Sequence, residues 1–190
     1  MNYIQLYDRE QYLFDGVRPS FHDRGYLTAF DFFCIVIWKA NRSKSMVAER
    51  LIKRDTRKRT DLDSIVRDLS SALHRAPNAE ERMRILIEDW KLRLPMASAI
   101  LTVLWPETFT IYDVRVCGQL GNHQNLHLTR KYSTLWSGYQ AFVQDVRAST
   151  PAWLSLRDKD RWLWAKSFEA DLHRDISGAT TKLLNHINGI

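Results

Sequence analysis

LRLPMASAILTVLWPETFTIYDVRV, residues 92–116, decides how the rest of the chain is read. Pro95 suits the first turn of a helix, where a missing N–H is harmless. Met96–Leu104 is apolar except for Ser98 and Thr102, and Pro106 closes it. The small residues Ala97, Ser98 and Ala99 let another helix approach closely. "ETFTIY" reads as a short extended link, and Asp113 then opens a second helix. One carboxylate just past an apolar stretch has two readings. It caps the helix that begins at Val114, or it faces something that needs a fixed negative charge.

Working outward, helix signals dominate. "LTAFDFFCIVIWKA" (27–40) is longer than most strands and has Thr28 as an N-cap. Ser45 is expected to cap a helix to about Arg54. Asp61 or Thr60 starts another, with Leu62, Ile65, Val66, Leu69 and Leu73 on one stripe. Pro77 and Asn78 break it, and Ala79–Leu92 is helical again, with Glu80 and Glu81 at its positive end. Gly121 and Asn122 end the helix that Asp113 opens. After the polar loop "NHQNLHL" come long helices over about Arg130–Arg147 and Asp158–Ile176, then a tail. The opening Met1–Arg18 reads as a short strand or an irregular arm. No βαβ alternation, glycine-rich nucleotide loop or repeat occurs. The expectation is an all-α chain of about eight helices, one compact unit over residues 1–190 or two interlocked lobes.

Of 190 residues, 45% are hydrophobic, enough for a core. The formal net charge of +6 permits contact with a phosphate backbone without requiring it. Cys34 and Cys117 lie in apolar surroundings and read as free thiols, which favours a reducing, cytoplasmic compartment. No secretory signal and no membrane span is read.

The segment also resembles the helix-hairpin-helix superfamily of DNA base-excision glycosylases. The matching text is "LRLPMASAIL" followed by "FTIYDVRV", within about Trp90–Leu120, the hairpin-like part being residues 90–116. The resemblance implies a helical fold with a central cleft, double-stranded DNA as partner, and Asp113 as the catalytic aspartate. Two departures stand out. The family's hairpin carries a Gly-x-Gly turn whose N–H groups hold a phosphate, whereas "WKLRLP" has no glycine; Lys91 and Arg93 are left to reach phosphate through side chains. Bifunctional members place a lysine nucleophile where Pro95 stands, and proline cannot form a Schiff base. The resemblance therefore implies monofunctional hydrolysis of an N-glycosidic bond, with no cofactor. Two separated cysteines cannot supply the four ligands of an iron–sulfur cluster.

Other residues carry paired readings. "WKANRSKS" is a solvated helix end, or a cleft wall in which Trp38 lines a pocket and Lys39, Arg42 and Lys44 meet phosphate. "RLIKRDTRKRT", with Arg57, Lys58 and Arg59, is a solvated surface or a phosphate contact. Tyr112 is a packed ring or part of the base pocket. His123 and His127 share a loop, with no cysteine or carboxylate clustered near them in sequence, and no metal site is expected. A catalytically inactive nucleic-acid-binding or protein-interaction module is the alternative to an enzyme.

Overall fold

The computed structural model describes residues 3–187, and the side chains of residues 3–178. Among these every regular element is helical and there is no strand. In chain order, α1 (Tyr3–Tyr7), α2 (Arg9–Gln11), a π turn (Tyr12–Val17) and α3 (Arg18–Arg24) form an N-terminal arm. This corrects the expectation of a strand or irregular arm. Leu13, Val17 and Phe21 are buried at four-residue spacing, so a helical stripe anchors the arm. Gly25 ends it in the left-handed conformation, with φ 77°.

α4 (Ala29–Ala40) is capped by Thr28, which accepts from the Asp31 N–H. A 3₁₀ turn (Asn41–Ser43) leads to α5 (Lys44–Arg54). Ser43 rather than Ser45 precedes α5, and it makes no side-chain cap, because the 3₁₀ turn already runs into the helix. α6 (Leu62–Arg75) is capped by Asp61. α7 (Ala79–Arg84), capped by Asn78, runs into a π turn (Ile85–Asp89) that stops short of the expected Leu92. α8 (Leu94–Leu104), α9 (Val114–Leu120), α10 (Tyr132–Ala148) and α11 (Leu156–Ile187) follow. The last helix outruns its expected end at Ile176, and the tail beyond residue 187 lies outside the described residues. No helix among the described residues is long and apolar enough to cross a membrane.

The core centres on α8. From Met96 to Leu104 every side chain is buried. Fully burying each Leu, Ile or Val there contributes roughly 1.5–3 kcal/mol. α4 packs against α8, α5 and α6, while α11 packs on α9 and α10.

Residues 109–112 lie between α8 and α9, and sheet pairing does not satisfy their backbone. Side chains from three helices take that role. Tyr139 of α10 accepts from the Thr110 N–H at 3.1 Å and donates to the Thr110 carbonyl at 2.7 Å. Asp160 of α11 accepts from the Ile111 N–H at 3.2 Å. Ser98 of α8 accepts from the Tyr112 N–H at 3.0 Å. A buried backbone needs such partners. The arrangement fixes the chain immediately before Asp113.

Candidate functional site

Asp113 caps a helix and pairs with a lysine. Its Oδ1 accepts from the Arg115 N–H at 3.0 Å, which caps α9. Its Oδ2 accepts from Lys39 Nζ at 2.5 Å. Lys39 comes from the last turn of α4, so the pair joins α4 to the start of α9. The side chains are 15% and 21% exposed, for Lys39 and Asp113 respectively. Burial resists ionisation of Asp113, but the charge and hydrogen bond of Lys39, helped by Arg115, outweigh it and hold the carboxyl below its ordinary range.

These two residues line a hollow of about 500 Å³, a size common for small-molecule sites. Trp38 and Trp164 supply aromatic surface, with Ile111, Val116 and Ala165 around them. Glu10, Arg157, Asp160 and Arg161 complete the lining. The charges in the lining balance: Lys39, Arg157 and Arg161 against Glu10, Asp113 and Asp160.

Asp160 is 3% exposed. It accepts from Arg157 Nη1 at 2.5 Å and from the Thr110 hydroxyl at 3.1 Å, besides the Ile111 N–H. Burial pushes its carboxyl above the ordinary range, opposed by Arg157 and these donors. Arg157 also reaches Glu10 at 2.8 Å and lies 5.2 Å from the ring centres of both Phe14 and Trp38. Its Nε is buried and has no hydrogen-bond acceptor. Trp164 stacks on Phe168 at 5.6 Å and takes the Arg115 guanidinium at 5.4 Å.

Sequence reasoning reached Asp113, Lys39 and Trp38 but missed what α11 contributes. Arg157, Asp160, Arg161 and Trp164 stand at i, i+3, i+4 and i+7, a single helix face. That spacing was the available signal. Tyr112 does not line the hollow, and its reading as a pocket residue is corrected. It is 1% exposed, and its hydroxyl donates to the His123 carbonyl while its ring packs on Phe142.

The other basic residues separate into groups. Arg59 is tied to Asp55 through its N–H, Nε and Nη2, and to Asp68 at 2.8 Å. Arg57 also pairs with Asp68 at 2.8 Å. Lys58 is exposed, with φ 54°. This cluster mainly closes the loop between α5 and α6. Arg42 and Lys44 are exposed at the 3₁₀ turn and do not line the hollow. Lys91 and Arg93 line a separate depression of about 650 Å³ with Arg50, Lys53 and Arg54. Lys91 adopts φ 53°, the left-handed conformation that usually calls for glycine after a helix. The Leu92 N–H returns to the Leu86 carbonyl at 2.8 Å, closing the turn between the α7 run and α8.

His123 pairs with Asp145 at 2.7 Å. Among the described residues no three metal-binding side chains gather. Comparison with protein-family models, curated proteins and solved structures gave no match for this chain.

Proposed function

We propose that the chain is a DNA base-excision glycosylase-like hydrolase that cleaves the N-glycosidic bond of a nucleotide extruded from a duplex. One observation carries the reading: a carboxylate, paired with Lys39 and held below its ordinary range, on the wall of a hollow of about 500 Å³ lined by two tryptophans. Bond cleavage builds positive charge on the sugar, and a fixed carboxylate offsets it and orients a water. The segment 109–112 holds Asp113 in place from three helices, so little reorganisation is needed. Trp38 and Trp164 supply aromatic surface to the hollow that receives the extruded base. Arg157 Nε, buried without an acceptor, offers a donor to a base carbonyl. The hairpin before α8 supports the DNA part, since Lys91 takes the backbone shape of the absent glycine and Arg93 and the α5 cations surround it.

The test is base release from duplexes that bear oxidised, alkylated or deaminated bases. Asp113→Asn is expected to lower release by about 100-fold or more. Equal release by the variant refutes the role of Asp113. No release by the unaltered protein across the panel refutes the enzyme reading. The alternative is a binding module that has lost the reaction. The cationic depression favours it, because its residues do not overlap those of the hollow.

A further inference from the structure

α11 has two faces. Among its described side chains Leu156, Lys159, Asp160, Leu163 and Ser167 are buried, so the core is met by its first twelve residues out of 32. From Phe168 to Gly178 no side chain is buried. Beyond Ser167 the helix runs on to Ile187, about 30 Å. Arg115 ties it to α9 at Asp171.

The side turned from the core carries an apolar stripe. Ala165, Phe168, Leu172 and Ile176 follow one another in steps of three, four and four. Phe168 is 46%, Leu172 47% and Ile176 57% exposed. Leu172 is nine residues past Leu163. That is about two and a half turns, so the two face opposite ways. The sequence repeats the same steps through Ala179, Leu183 and Ile187. An eleven-residue period is about 3.67 residues per turn, close to that of a straight helix, so such a stripe hardly drifts around it.

We infer that a second copy of the chain packs on this stripe, α11 against α11 about a two-fold axis. Three observations choose that occupant. A stripe on an eleven-residue period suits a helix of the same period and length, and α11 of another copy has both. The charges beside the stripe nearly cancel, with Lys166 and Arg174 against Glu169, Asp171 and Asp175, whereas the whole chain carries +6. Two copies that repel each other elsewhere can therefore meet here, and a strongly charged partner gains little. Finally, helices draw most of their stability from packing an apolar face, and the body buries none of the side chains from Phe168 to Gly178. The inference does not depend on what the hollow binds. Ala165 also lines the hollow, so the second copy lies beside it.

The experiment is sedimentation equilibrium on the full chain from about 1 to about 100 μM. A mass of twice 22.4 kDa is expected at the upper end. Phe168→Glu combined with Leu172→Glu sets carboxylates across the paired face and should raise the dissociation constant by about 100-fold or more. Both positions are exposed, and circular dichroism checks that the variant is folded. Leu172→Gln, a milder change, should raise the constant by about 10-fold. Trp153→Glu, at a site 83% exposed between α10 and α11, should dimerise like the unaltered chain. The unfolding midpoint should rise with protein concentration for the unaltered chain and stay fixed for the double variant. A monomer mass at every concentration overturns the inference, whether or not the same residues then hold DNA or a vesicle. A dimer that the folded double variant and Leu172→Gln both leave intact overturns it too.

Discussion

At the scale of single residues, Asp160 shows how a side chain outside the Lys39–Asp113 pair fixes the chain that leads to it. Its two oxygens engage the Thr110 hydroxyl, the Ile111 N–H and Arg157. Removing the carboxylate strands all three donors in a buried setting. Asp160→Ala is therefore expected to lower unfolding stability by about 3 kcal/mol, read from urea denaturation. A loss below about 1 kcal/mol would mean that the 109–112 segment is held without it. Asp113 was readable from sequence because a carboxylate before an apolar helix has few purposes. Asp160 was hidden, since an acid between Lys159 and Arg161 looks like part of a solvated surface. Lys159 is in fact buried too, donating to the Pro151 carbonyl at 2.6 Å and to the Thr150 hydroxyl at 2.9 Å. Local charge density says nothing about which face of a helix meets the core.

At the scale of elements, helix periodicity placed α4, α6, α8 and α10 to within a few residues, because each has an apolar stripe or an apolar body. The N-terminal arm escaped because its buried stripe, Leu13, Val17 and Phe21, is interrupted by Gly16 and Pro19. The basic residues were legible as a cluster but not as two groups. What divides them is the reach of Asp55 and Asp68, which absorb Arg57 and Arg59 and leave the α5 face of Arg50, Lys53 and Arg54 beside the hairpin. Arg50 also donates to the Lys91 carbonyl at 2.9 Å, tying α5 to that turn. If this face holds DNA phosphate, replacing Arg50, Lys53 and Arg54 together by Gln should weaken duplex binding across sequences. The slope of log affinity against log salt should become shallower by about two to three. Fluorescence anisotropy at several salt concentrations measures this. Unchanged slope and affinity would remove the depression from the binding surface.

At the scale of the whole molecule, acid stability is set by how its carboxylates are partnered. Arg59's side chain and N–H hold Asp55 down at about 2. Ser64 bonds lower Asp61, His123 and Asn122 lower Asp145, and Ser155 lowers Asp158. Asp113 is lowered as well, through Lys39 and against its burial. In each case the unfolded chain takes up a proton at a higher pH than the folded one, so stability rises with pH across that window. It is fully present above the ordinary carboxylate range near 4 and lost as pH falls through the folded values. Asp160 acts in the opposite sense, because burial raises its folded value. Its contribution is present below the ordinary range and lost as pH rises through the raised value. The lowered groups outnumber it, so the denaturant midpoint should fall steadily from pH 5 to pH 2. Asp55→Asn separates the largest resolved member of the set. The variant should be less stable at pH 5, having lost the charge that Arg59 grips, yet its decline between pH 4 and pH 2 should be flatter than that of the unaltered chain. Parallel curves would show that the Asp55–Arg59 pair is not what couples the α5–α6 loop to acid unfolding.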